Sequence, residues 1–86
     1  MCLFYNLISD DAGRKLKEER KARGMSRRKL ARLTNIKPEV IEDIERGYVC
    51  MMNYDMLSRM CKVLQVSPFS FFIRKLTNEE IIEIIK

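Results

Sequence analysis

Between residues 14 and 37 the chain carries eleven lysines and arginines, at positions 14, 15, 17, 20, 21, 23, 27, 28, 29, 32 and 37, against two acids, Glu18 and Glu19. Ammonium and guanidinium groups at that density do one kind of chemistry well: they hold a polyanion and displace its counterions. The stretch "IKPEVIEDIERG" follows directly and presents Glu39, Glu42 and Asp43. The basic segment has a local balance of +9 in a chain of net charge +5, which leaves the other residues at −4. Such asymmetry points to a polyanion partner, and the alternative at this point is a solvated basic face.

Other chemistry lacks its residues. The chain has no histidine, and Cys2, Cys50 and Cys61 form no C-x-x-C pair. A zinc site, a thiol-protease dyad and a histidine base are therefore excluded as readings. No catalytic constellation, metal or cofactor is expected. An odd cysteine count suits reduced thiols in a cytosol, and Cys61 sits at a helical core spacing, as a small hydrophobe would. The start "MCLFYNLI" is apolar but has neither a basic flank nor a small-residue cleavage site, so it does not read as a signal peptide. No run approaches a membrane span. A cytoplasmic location without a membrane partner is the expectation.

Eighty-six residues, 47% apolar and 34% charged, suit one ordered domain with a single modest core. Helix signals recur along it. "SDDAGRKLKEERKARG" offers Ser9 or Asp10 as N-cap and Gly24 as stop. "SRRKLARLTN" starts at Ser26 and closes near Asn35. "KPEVIEDIERG" has Pro38 in its first turn and Ile41 and Ile44 as an apolar stripe. "NYDMLSRMCKVL" takes Asn53 as cap, "SPFSFFIRKL" takes Ser67 with Pro68 next, and "TNEEIIEIIK" opens on a Thr77–Glu80 capping box. Met51, Met52, Met56 and Met60 read as fillers of core and loop gaps. Residues 3–8 are the one candidate for an extended arm. The fold class is all-α, a compact five- to six-helix domain.

Two short helices, about 26–34 and 37–46, joined by a tight turn form a helix-turn-helix candidate. Ala31 supplies the small residue where the helices cross, and Asn35 tolerates positive φ in the turn. From roughly Ala12 to Phe72 the chain resembles the phage-repressor/Cro-type (XRE) helix-turn-helix proteins. Gly13, Leu16, Arg20, Gly24–Ser26, Leu30, Ala31, Ile36, Ile41, Ile44, Glu45–Gly47, Leu57, Leu64, Val66 and Ser67 carry the likeness. The resemblance implies a lambda-repressor-like fold and a bacterial or phage regulator that binds duplex DNA as a homodimer, in the simplest case a repressor. It also implies that the second motif helix enters the major groove. By position, Arg20 and Glu45 match the family's ion pair. Arg27, where the family usually has Gln, matches a phosphate contact with Arg28 beside it. Lys37, Pro38, Glu39, Val40 and Asp43 match groove-facing places, and Arg46 and Tyr48 fall where the chain follows the DNA backbone. Tyr54 is read as either a phosphate contact or packing.

Some residues depart from the pattern. Lys37 replaces the usual Ser or Thr cap, and Glu39 and Asp43 replace commoner polar or basic residues. Acids facing the groove are opposed by phosphate charge unless they accept from a cytosine amino group. The domain proper is set at 10–74, flanked by an apolar arm at 1–9 and a final helix at 75–86. Leu3, Phe4, Phe69, Ile81, Ile82, Ile84 and Ile85 give these ends more apolar surface than one small domain readily buries, and dimerisation through them is the expectation. The rival reading is a protein-interaction module, antitoxin- or antirepressor-like, that uses the acidic helix and the apolar ends.

Overall fold

The computed structural model describes residues 3–85, and of Met51 the backbone alone. Cys2, Lys86 and the Met51 side chain lie outside the described residues. Six α-helices follow in order: α1 (Leu3–Leu7), α2 (Ala12–Ala22), α3 (Arg27–Thr34), α4 (Pro38–Glu45), α5 (Tyr54–Leu64) and α6 (Asn78–Ile85). Two 3-10 turns, Val49–Met51 and Pro68–Phe71, sit on either side of α5.

Local chemistry sets most of the helix ends. The Ser26 hydroxyl accepts from the Lys29 N–H at 3.1 Å and opens α3. Asn35 closes it in the left-handed conformation, at φ 58 and ψ 37. The Asn53 side chain accepts from the Met56 N–H at 2.9 Å to open α5. At α6, the Thr77 hydroxyl accepts from the Glu80 N–H and the Glu80 carboxylate accepts from the Thr77 N–H, a reciprocal box. Arg74 also donates to Glu80, and these bonds hold that carboxyl at about 2.

Ile41 and Ile44 carry α4 into the centre of the core, among Leu16, Leu30, Leu57 and Leu64, all of them buried. Met52 and Met60 are buried there too, while Met56 packs at the edge. α2 and α3 both pack on α4, and α5 packs beneath α3. α2 meets α4 at Gly13, where a Cβ would overlap the Ile44 carbonyl oxygen. Cys61 is buried, and loss of solvation, with the Glu19 charge adding to it, pushes its thiol up to about 12. It stays protonated as a packing group.

Four sequence expectations need correction. α2 begins one residue after Asp11, which makes no side-chain cap; the Ser9 hydroxyl instead bonds to the Asp11 carboxylate. The segment after Ser67 makes one 3-10 turn rather than a longer helix, because Phe72 is extended and the Phe71 carbonyl and the Ile73 N–H on either side of it bond Ser9 and Leu7 of the N-terminal segment. The N-terminal segment is helical over Leu3–Leu7, not an extended arm. It is held by a single bridge between Ile8 and Phe72, by the Ser9 N–H on the Phe71 carbonyl at 2.9 Å, and by the Ile73 N–H on the Leu7 carbonyl at 2.8 Å. Finally, Phe4 is not free to build a dimer. Its side chain is buried in the monomer, edge-on to Phe72.

α1 and α6 pack together, so the two ends of the chain cover much of each other's apolar surface. Leu3, Ile81 and Ile84 are partly buried against the core. Ile82 and Ile85 are 59% and 53% exposed, and Phe69 and Ile73 are exposed as well.

Candidate nucleic-acid interface

α3 and α4 form a two-helix unit whose turn is Asn35, Ile36 and Lys37. The left-handed Asn35 reverses the chain, and Ile36 is buried as a plug beneath the turn. Lys37 stands at the N-cap of α4 with an extended backbone and no side-chain cap bond, since an ammonium accepts nothing. Pro38 has no N–H to satisfy in that first turn, which eases the missing cap.

With Ile41, Ile44 and Glu45 turned inward, the helical repeat turns Glu39, Glu42, Asp43 and Arg46 outward. Arg46 pairs with Glu42 at 3.4 Å. Val40, expected to face the groove, is half-buried and packs against the core. Pro38 is likewise half-buried, and Lys37 and Glu39 are exposed. Tyr48 is exposed beyond the end of α4, whereas Tyr54 stacks on Phe69, so packing accounts for it.

Glu45 lies at the centre of a cationic cluster. Its carboxylate accepts from Arg20 Nε at 2.7 Å and from Arg20 Nη2 at 3.1 Å, a two-pronged bond between α2 and α4. The two side chains are 7% and 2% exposed. Arg20 also donates to the Met25 carbonyl at 2.7 Å, which pins the loop before α3. Arg27, at the first position of α3, donates from Nε to the same carboxylate at 2.8 Å. Burial pushes the Glu45 carboxyl up, but the bonds and charges of Arg20 and Arg27 outweigh that and hold it below the ordinary carboxylate value. Sequence reading missed the Arg27 contact, because a separation of eighteen positions that crosses the turn follows no helical spacing. It also missed Arg59, which donates to the Thr34 carbonyl at 3.0 Å and so ties α5 to the end of α3.

The other arginines sort sharply. Arg14, Arg23, Arg46, Arg59 and Arg74 each lie against a carboxylate, as do Arg20 and Arg27. Among the described residues only Arg28 and Arg32 have none. They are exposed, one turn apart on the outer side of α3, and with Lys37 they line a shallow cleft that runs to Pro38 at the start of α4. The surface is thus a rim of uncompensated cations beside an acid-bearing helix.

The family model described as helix-turn-helix matches residues 16–71, about two thirds of the chain. The chain belongs to the XRE helix-turn-helix family. Its fold is the lambda-repressor-like helix-turn-helix fold, and it is a DNA-binding regulator of the XRE type. No curated protein matches the chain. The matched span contains α3, α4 and α5 and most of α2, while α1 and α6 lie outside it. This XRE protein therefore adds to the family core a pair of terminal helices packed on one another. Among its described residues no helix is long and apolar enough to cross a membrane.

Proposed function

We propose that this XRE protein binds an operator as a homodimer and regulates transcription there, most simply as a repressor that blocks a promoter by occupying it. The observation that carries this reading is that Arg28 and Arg32, alone among the arginines described, have no carboxylate partner. Free guanidiniums beside the start of α4 suit phosphates on either side of a groove that α4 enters. In this reading Lys37, Arg46 and Tyr48 add backbone contacts. Glu39 and Asp43 accept from cytosine amino groups, and Pro38 and Val40 shape the helix start and its edge. The exposed Phe69, Ile73, Ile82 and Ile85 supply the apolar patch for a two-fold partner. A cytoplasmic location follows from the DNA target.

Titration of the protein against the DNA flanking its own gene, at several salt concentrations, tests the reading. Arg28→Ala and Lys37→Ala should each weaken binding to every duplex and reduce the salt slope by about one unit per lost phosphate contact. An unchanged slope in both would move the DNA surface elsewhere on the molecule. Absence of duplex binding at low salt would favour a protein partner for α4, whose outer face carries three acids and one arginine. Sedimentation at micromolar concentration checks the dimer, and a monomer there would refute it.

Glu39 has its own test. Glu39→Gln should change the preferred base at one position in each half-site, with a discrimination of roughly 1–3 kcal/mol. It should also raise affinity for unrelated DNA, because one repulsion with phosphate is removed. Site selection from a random library that returns the same sequence for both proteins would show that Glu39 reads no base.

A further inference from the structure

We infer that Glu45 is a positioning residue for DNA: it holds Arg27 by Nε and thereby aims the rest of that guanidinium at a backbone phosphate. The inference rests on the DNA-binding reading above and adds a role that the Arg20–Glu45 pair alone does not have. Three observations carry it. Arg27 uses only Nε on Glu45, at 2.8 Å, and among the described residues no other group takes its Nη1 or Nη2 hydrogens. Its side chain is 37% exposed, so the guanidinium lies at the boundary between the buried carboxylate and solvent. It also stands at the first turn of α3, next to Arg28 and on the helix that carries Arg32.

The chemistry follows from the shape of the group. A guanidinium is a rigid plane with donors on two edges, so one edge can stay on Glu45 while the Nη pair meets a phosphate. Glu45 in turn carries one negative charge between two positive arginines, so the cluster keeps a net positive charge to offer an anion. A carboxylate nearer the surface would compete with DNA for Arg27. This one is 2% exposed and fixed by Arg20, so it orients Arg27 without itself approaching a phosphate. The side chain is therefore ordered before DNA arrives, and less freedom is lost on binding.

A lysine in place of Arg27 keeps the charge but has a single ammonium, which cannot present two edges. Arg27→Lys should thus lose most of the affinity that Arg27→Ala loses. A double-mutant cycle supplies the second readout, with affinities measured near 5 °C and corrected for the folded fraction by circular dichroism. Glu45→Gln should weaken duplex binding by about tenfold when Arg27 is present, within the range seen for coupled neighbours, and by less than twofold in the Arg27→Ala background. Equal losses in both backgrounds, or tighter binding by Glu45→Gln, would overturn the inference. Should Glu45→Gln fail to fold, Arg27→Lys decides alone, and wild-type affinity in that variant would overturn it. A wild-type protein that binds no duplex overturns the DNA reading itself, whereas binding without coupling overturns only the role given to Glu45.

Discussion

Glu45→Ala is expected to cost the domain on the order of 3–5 kcal/mol, the range for breaking a buried ion pair by removing one partner. The reason is what stays behind. Arg20 would remain with its side chain 7% exposed and only the Met25 carbonyl to accept from it. For a domain of this size such a loss lowers the melting temperature by on the order of 20 °C. An exposed pair such as Arg14–Glu18 serves as the control, since solvent screens it and removing it should leave the melting temperature nearly unchanged. A melting temperature for Glu45→Ala within a few degrees of wild type would show that the cluster does not hold α2 to α4.

Acid should act on the same group. A carboxyl whose folded-state pKa is depressed contributes stability that is present above its ordinary value of 4.5 and is lost as pH falls through the folded-state value. Wild-type stability should therefore decline on acidification from about 4.5 downward. Asp11 and Glu80, also lowered, titrate in that region too, so the difference between wild type and Glu45→Gln isolates Glu45. If the two proteins lose stability in parallel from pH 5 to pH 2, Glu45 contributes nothing to the decline.

The second large effect is expected at Gly13. A Cβ there would overlap the Ile44 carbonyl oxygen and lie 2.9 Å from its carbon, with the Glu45 Cα at 3.4 Å. These are backbone atoms, so no rotamer change relieves the contact. Alanine favours a helix over glycine by up to about 1 kcal/mol, but overpacking of this kind costs typically 1–3 kcal/mol and at times more. With backbone on both sides the upper end applies, and Gly13→Ala should lose about 3 kcal/mol before any helix gain. α2 and α4 would have to separate where Glu45 follows Ile44, so the ion-pair cluster should loosen as well. Gly24→Ala makes a useful contrast. Nothing lies near its absent Cβ, and only its φ of +62 resists substitution, at a cost of about 1 kcal/mol. A denaturation midpoint for Gly13→Ala at or above that of wild type would refute the close crossing of α2 on α4.

What could be read from sequence and what could not divide by the range of the interaction. Ser26, Asn35, Asn53 and the Thr77–Glu80 box act within a few residues of themselves, so residue type and spacing are enough to reveal them. Asp11 is a near miss of the same local kind, since three adjacent hydrogen-bonding side chains compete for one helix start. α1 is a different case. Five residues with no acid in the first turn and no base in the last have too little local preference to choose helix over strand. The choice is made by contacts with residues some sixty-five positions later, such as Leu7 with Ile73. Phe4 was out of reach for that reason, because an apolar side chain in an arm of unknown conformation has no predictable inside. At the interface, the pairing of Arg20 with Glu45 is within reach of the family likeness. The third partner, Arg27, is not, since it stands where the family usually has a residue of another type.

The bond between Leu7 and Ile73 and the bridge between Ile8 and Phe72 also constrain how the protein is made. A ribosome adds roughly 5–20 residues per second, so Phe71 to Ile73 emerge on the order of 3 to 13 s after Leu7 and Ile8. For most of that interval Phe4, Leu7 and Ile8 lack their contacts with Phe72 and Ile73, while α2 to α4 emerge and become able to pack. An apolar segment that emerges well before the residues that cover it is what a nascent-chain chaperone would hold.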